Sequence, residues 1–521
     1  MKEYLNRYKN YILWSFVFAF VVHGAKLNSR IVGIDTEDLI HLGTPFYDGW
    51  LNTGRQGLVL LKCLTGTLKY NPYYAGLMTV LGLGAAVAFF VLLWERVGDF
   101  PLKNQWHGAA IVGGIVLWIS HPVLVEQFYF TIQGAEICVG MALTALALWL
   151  VYTGSCSKGI NKWIFYLISG ALLLITFSVY QILVVFFIFG TLTVLVLKCL
   201  NEKLVPVNHK KAFWGMIKDV LPYAGVFLGA FLVNSIITKL FFSESNYLSN
   251  QIRWGQLSVR DCIYSIAVHC RDVFCGRNSI FYSWILGVLC FAGLVAVLLL
   301  VKRFGFVLVF YYVALMTTPF LMTVVCADVP AIRSQLILPA FTGFILYFDV
   351  LLLECLYEKN LFGKRCKWFP GIVLLLVLGL MGTCMQTQTS LQLYYTDACR
   401  YAEDEALGRD LIVLLEGLIG EDDTPIVVIG SRPFEGNNAC VKGEMVGRSV
   451  FEHDVNEEPK YYWSTRRVVG FLHTLGYDCE QLPDKNISYA VEFAEDMHSW
   501  PADNSVTHAG DMIVIKLSEI E

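Results

Sequence analysis

The feature that most constrains this chain is a series of long apolar runs, each close to the ~20 residues a helix needs to cross the hydrocarbon core of a bilayer. About eleven can be marked, near 9–25, 72–94, 106–120, 131–153, 163–178, 181–198, 220–242, 281–301, 304–326, 335–353 and 369–390. The first, Tyr11 to Val22, follows Lys2, Arg7 and Lys9 and resembles a secretory signal, but with so many runs after it an uncleaved first helix is the expectation. Composition agrees: 56% of residues are hydrophobic, 16% are charged and mean hydropathy is +0.56. The fold class expected is a polytopic α-helical membrane protein.

Charge divides the chain in two. Residues 1–390 carry 29 Lys+Arg against 18 Asp+Glu, and residues 391–521 carry 10 against 25. The expected domains are therefore a transmembrane domain, 1–390, and a soluble domain, 391–521. With the N-terminus cytoplasmic, alternate loops hold Lys2, Lys9, Lys103, Lys158, Lys162, Lys198, Lys203, Lys210, Lys211, Lys218, Lys302, Lys359, Lys364 and Lys367, as the positive-inside rule asks. The C-terminal region then falls on the extracytoplasmic side.

The opposite side favours arginine: Arg30, Arg55, Arg253, Arg260, Arg271, Arg277 and Arg333. A planar guanidinium binds phosphate or carboxylate bidentately, which a lysine does not. The plain alternative is that these arginines meet lipid headgroups. Two outer loops carry most of them. The first, 26–71, includes Leu58 to Leu64, an apolar stretch too short to cross and suited to an interfacial helix. The second, 243–280, mixes apolar residues with four arginines, and the two loops together are expected to line an outer vestibule.

The first outer loop opens on Gly33-Ile-Asp35-Thr-Glu37-Asp38, followed by Trp50 and Gly54-Arg55-Gln56-Gly57. Three carboxylates within four residues beside a membrane helix are candidates for acid-base work, although acids in an exposed loop are often only solvated. Glu126, between His121-Pro122 and Phe128-Tyr-Phe130, is read as a residue of an outer loop. Glu136 falls inside an apolar run, where an ionisable group is costly and is a functional candidate by default, with a helix-to-helix hydrogen bond as the alternative. Glu136 stands almost alone among the spans.

Past residue 390 the pattern changes. A helical stretch from Asp397 to Leu418 precedes Pro425-Ile-Val-Val-Ile-Gly430, which reads as a buried strand and turn. Tyr461 to Leu475, ending at Gly476, reads as an amphipathic helix, and Met512 to Leu517 as a closing strand. A small α/β domain is expected. Most of the fifteen cysteines sit in apolar runs as small hydrophobes. Cys262, Cys270 and Cys275 share one loop, either bridged or as free thiols, and no cysteine-histidine set has zinc spacing. No Walker A, GxSxG, HExxH or kinase set is present, and the acidic tail would repel nucleic acid.

Together, the acid motif in the first outer loop, Trp50, Gly54-Arg55-Gln-Gly57, Pro122 with Glu126-Gln127-Phe128, and Ser178-Val-Tyr180-Gln181 resemble the GT-C superfamily of membrane glycosyltransferases. More narrowly they resemble the bacterial Gtr-type (type II) glucosyltransferases, and the tail, with Ser499-Trp-Pro501, is similar to those of Gram-positive members. The resemblance implies a GT-C-like domain in the bacterial cytoplasmic membrane. It implies a polyprenyl-phosphate-sugar donor and a cell-surface glycan acceptor, such as an O-antigen-like polymer, with no nucleotide cofactor. The adjacent Asp-Asp usual in that family is here Asp35-Thr-Glu37-Asp38, so the equivalent pair stays open.

The expected chemistry is a single inverting displacement. Asp35 or Glu37 takes the acceptor's proton, and Asp38 orients it or holds the oxocarbenium charge. Arg55 with one or more of Arg253, Arg260, Arg271, Arg277 and Arg333 stabilises the departing phosphate, while Gln56, Glu126, Tyr180 and Gln181 contact substrate. The carboxylates are a set that can hold Mg²⁺ or Mn²⁺, but no complete ligand set can be counted. The rival class is a transporter or flippase of lipid-linked glycans. Such proteins gather polar groups near the bilayer midplane and show repeated halves, neither of which is visible here.

Overall fold

The computed structural model describes residues 2–99, 105–201, 209–242, 252–357, 369–418 and 424–520. Lys103, Lys203, Lys359, Lys364 and Lys367, and the part of the second outer loop at 243–251, lie outside the described residues.

Among the described residues, ten helices are long and apolar enough to cross a membrane. One further pair, Trp106–Ile119 and Val123–Tyr129, passes the same test together but is bent by 44°. The protein is thus a polytopic helical membrane protein with a small C-terminal sheet region. The expected span at 369–390 and the helix at 397–418 are one helix, Phe369–Leu418, of 50 residues. No glycine or proline falls between Gly382 and Gly408, so no residue there breaks the backbone ladder.

The chain forms two compact units. The first comprises Met1–Asn28, Gly49–Phe128 and Gln133–Ser390, and the second Ser29–Asp48, Tyr129–Ile132 and Leu391–Glu521.

In the first unit the helices Gln105–Ile119 and Ile337–Tyr357 cross at Gly114 and Gly343. A Cβ on Gly343 would lie 2.4 Å from the Gly114 carbonyl oxygen, so only glycine permits this approach. An aromatic cluster packs beside the crossing: Trp94 stacks on Tyr347 with ring centroids 5.8 Å apart and meets Phe344 at 4.9 Å. Glu136 is not almost alone in the membrane domain. Glu95, buried, accepts from the Tyr347 hydroxyl at 2.7 Å and meets His107 at 2.9 Å. Asp349 is buried with neither carboxylate oxygen partnered. The expected span had stopped at 94, one residue short of Glu95, and the apolar run around Asp349 hid it.

The second unit is built on a three-stranded sheet. Strand β1 (Ile426–Ile429) pairs in parallel with β3 (Met512–Lys516), which pairs antiparallel with β2 (Val506–Ala509). All residues of β1 and β3 are buried, as expected of continuous apolar runs covered on both faces. One face packs with Leu411, Leu415, Val468, Phe471 and Leu472; the other with Ile487, Ala490 and Ala494. The expected strands and the helix near 461–475 are present, the last as Tyr462–Thr474. Strand β2 and the helix Ile487–Glu495 were not read from the sequence, because β2 is four residues long with a polar Thr507 and His508.

Candidate active site

The acid motif belongs to the second unit. Gly33 lies against the Tyr129 ring, where a Cβ would come 2.7 Å from Cζ, and the Ile34 amide donates to the Tyr129 hydroxyl at 3.3 Å. The Val32 carbonyl accepts from Arg400 Nη1 at 2.9 Å. Arg400 is fully buried and is held by Asp397 at 2.6 Å and Asp404 at 3.1 Å, a spacing of i−3 and i+4 along one helix. Asp404 in turn accepts from the Ser449 hydroxyl at 2.6 Å and the Val450 amide at 3.1 Å. This buried network fixes the backbone from which the acids project.

Asp35 itself sits at φ 67°, a left-handed conformation that a non-glycine residue adopts at some cost and that aspartate tolerates better than most. The helix Thr36–Leu42 starts immediately after it. Asp35 makes no side-chain cap to that helix, which leaves its carboxylate for another partner.

That partner is Arg467, on the helix Tyr462–Thr474. Its Nη1 lies 3.1 Å from Asp35 Oδ1, 2.9 Å from Glu37 Oε1 and 3.4 Å from Asp38 Oδ2, while its Nε donates to Asp454 at 2.8 Å. The neighbouring Arg466 reaches Asp38 at 3.2 Å. Two helices can approach this closely because residue 470 is glycine: a Cβ there would meet Glu37 Cγ at 3.2 Å. The three acids differ sharply in access, with side-chain exposures of 38% for Asp35, 9% for Asp38 and 0% for Glu37.

Four carboxylates face two guanidiniums here, two negative charges more than the arginines can neutralise, and one of the acids, Glu37, is wholly buried. Burial pushes the Glu37 carboxyl up to about 8, with the charges of Asp35 and Asp38 adding to the rise and Arg467 opposing it. The same carboxylates raise the affinity of Arg467 for its own proton. The guanidinium therefore stays charged and Glu37 is the group that titrates. Its Oε2 is buried without a hydrogen-bond partner.

The remaining predicted residues belong to the first unit. Two motifs far apart in sequence meet there: the Gly57 and Leu58 amides donate to the Ser178 carbonyl at 3.1 and 3.3 Å. A Cβ on Gly57 would lie 2.3 Å from the Ile175 carbonyl oxygen. This seats the Arg55 guanidinium 5.5 Å from the centroid of the Tyr180 ring, with the Arg55 Nε buried and unpartnered. Gln56 donates to Asn234 at 3.0 Å and keeps a buried carbonyl oxygen without a partner. Gln181 precedes the helix Ile182–Asn201. The short apolar stretch near 58–64 is a helix, Gln56–Thr65, and from it Lys62 pairs with Glu136 at 3.3 Å. Thr67 also donates to Glu136. Glu136 thus makes a buried ion pair and a hydrogen bond.

One expectation needs correcting. Glu126 is not in an open loop: it lies on the helix Val123–Tyr129 and is wholly buried, beside a Gln127 whose amide is buried and unpartnered. The apolar residues between Pro122 and Phe130 pack inward, which a loop reading did not anticipate. The paired arginines of the second outer loop divide between separate partners. Arg253 pairs with Asp328 at 3.4 Å, Arg271 and Arg277 share Asp272 at 2.7 and 4.0 Å, and Arg260 sits exposed on the helix Val259–Cys275. Arg333 is on a short helical turn, Ile332–Ser334. Cys262, Cys270 and Cys275 are free thiols.

Sequence reading missed Arg400, Arg466 and Arg467. A visible signal existed: an Arg-Arg pair and an Asp-x-x-Arg-x-x-x-Asp ladder inside an otherwise acidic tail.

Ten helices among the described residues are long and apolar enough to cross a membrane, and carboxylates are buried in the first unit, as in an integral-membrane protein. A family model described as "Glucosyl transferase GtrII" matches residues 25–353. The chain belongs to the GtrII glucosyltransferase family. The matched range holds Asp35, Glu37, Asp38, Arg55 and Tyr180, and Arg466 and Arg467 lie beyond it. No curated protein and no solved structure matches the chain. Family membership decides between the two classes weighed from sequence, in favour of the enzyme over the transporter.

Proposed function

We propose that this glucosyltransferase moves glucose from a polyprenyl-phosphate donor to a hydroxyl of a cell-surface glycan, on the extracytoplasmic face of a bacterial cytoplasmic membrane, with Asp35 as general base. The observation that carries the choice of base is the difference in access among the three acids. Asp35 presents its carboxylate to solvent, whereas Glu37 and Asp38 are buried against Arg467 and Arg466. A base must reach the proton it removes, so Glu37 and Asp38 are positioning groups.

In the displacement, the acceptor oxygen attacks the anomeric carbon of glucose as the bond from that carbon to the phosphate oxygen breaks. The acceptor proton passes to Asp35, the bonding electron pair leaves with polyprenyl phosphate, and the anomeric configuration inverts. Arg467, 3.1 Å from Asp35 Oδ1, holds the carboxylate in place. The donor phosphate is assigned to Arg55, whose unpartnered Nε and aromatic support suit a phosphate oxygen. The lysine bias of alternate loops supports a cytoplasmic N-terminus.

The test is transfer of radiolabelled glucose from synthetic polyprenyl-phosphate-glucose by the purified protein in detergent. Asp35→Asn should lower turnover by roughly 10²–10⁴, the usual contribution of a general base, with donor binding retained. Full transfer by Asp35→Asn would remove Asp35 from the mechanism.

A further inference from the structure

Beside the acid cluster stand three side chains that the reaction does not use, two of them on the same two helices and one just beyond. His41 is in the last turn of the helix Thr36–Leu42, His473 is in the last turn of Tyr462–Thr474, and Asp478 follows in the next loop. One donor atom from each lies within 4.8 Å of the other two. We propose that His41, His473 and Asp478 bind a zinc-class divalent ion that clips the acid-bearing helix to the arginine-bearing helix.

The placement follows from the sequence of each helix. Glu37 and His41 are four residues apart, and Arg466, Gly470 and His473 are spaced four and three, so each set lies along one face. The faces meet at Gly470, against Glu37. The arginine ties sit at one end of this contact and the two imidazoles at the other, their ring centroids 4.8 Å apart. Asp478 is returned to His473 by the helix terminus itself. Gly476, at φ 92°, lets its amide donate to the His473 carbonyl and the Tyr477 amide to the Leu472 carbonyl, both near 3 Å, a Schellman closure. The result is an Asp478 Oδ1 to His473 Nδ1 distance of 2.5 Å.

Two imidazoles and one carboxylate are the ligand set of zinc-class sites that keep a further position for water. Metal needs neutral imidazole. The 4.8 Å spread of the donor atoms exceeds the tetrahedral spacing one ion requires by about 1.5 Å, a closure that rotation of the exposed His41 and Asp478 side chains supplies. A surface His473–Asp478 hydrogen bond alone explains neither the arrival of His41 nor the shared face. The ion would join segments remote in sequence, where closing a long loop gives a clip its largest effect.

The experiment uses the purified full-length protein in detergent, stripped with chelator, titrated with Zn²⁺ and then with Co²⁺ as a spectroscopic probe. Expected is one ion per chain with an intense low-coordinate Co²⁺ spectrum, and a chelator-reversible rise in melting temperature. His41→Ala and His473→Ala should each weaken Zn²⁺ binding by at least about tenfold. Asp478→Asn, at a side chain 85% exposed and harmless to folding, should weaken binding and alter the Co²⁺ spectrum. His498→Ala, elsewhere in the same unit, should change neither. Stoichiometric binding that survives Asp478→Asn and His41→Ala unaltered, or no Zn²⁺ bound by the wild type, would overturn the site. Because the readout is metal content, the result is independent of which carboxylate serves as base.

Discussion

Arg467 Nη1 lies 2.9 Å from Glu37 Oε1, and that single contact ties a helix near the start of the chain to one near its end. The guanidinium is shared among Asp35, Glu37, Asp38 and Asp454, so it neutralises acids that could not otherwise be buried together.

Removing Arg467 should therefore be costly. Arg467→Ala leaves buried carboxylates unpaired and is expected to destabilise the second unit by about 3–5 kcal/mol, read as a lowered thermal midpoint. Arg467→Lys keeps a charge but cannot bridge four carboxylates with one planar fork, so it should recover part of the stability and little of the activity.

Stability should depend on pH through Glu37. Its carboxyl is raised from 4.5 to about 8 in the folded protein, so the folded state binds a proton that the unfolded state has released. Its contribution is fully present below pH 4.5 and is lost as pH rises through about 8. Unfolding of wild type and Glu37→Gln across pH 5–9 checks this: the wild-type midpoint should fall toward the alkaline end, and the variant should lose that component of the slope. Parallel curves would refute it.

Close backbone approach makes two glycines sensitive. Gly57→Ala would drive a methyl into the Ile175 carbonyl and unseat Arg55 from Tyr180, and Gly33→Ala would press on the Tyr129 ring. Each is expected to cost about 1–3 kcal/mol by overpacking. The two separate by function: donor binding should suffer in Gly57→Ala, and turnover in Gly33→Ala.

Arg55→Lys tests the phosphate assignment. Loss of a charge-assisted bidentate contact amounts to about 1.5–3 kcal/mol, so transfer should fall roughly 10- to 100-fold, chiefly through a weaker KM for the donor. Arg409→Ala, which breaks an exposed pair with Glu405, should leave both stability and transfer close to wild type.

The long apolar helices, strands β1 and β3 and the helix at 462–474 were legible because each writes its period or length directly into the local sequence: long apolar runs, short buried apolar runs and a 3.6-residue stripe. The acid motif was legible for a similar reason, as three carboxylates crowded into four residues. Local patterns of this kind depend on what a segment buries and hardly at all on its partner. What the tertiary structure decided is which charges meet. Nothing near Asp35 announces Arg467, and nothing near Ser178 announces Gly57, because an ion pair or a close backbone approach between remote segments leaves no periodic trace in either. For the same reason the sequence left Asp35 and Glu37 as alternative bases, and only burial distinguished Asp35, 38% exposed, from Glu37, whose carboxyl is desolvated and pushed up to about 8.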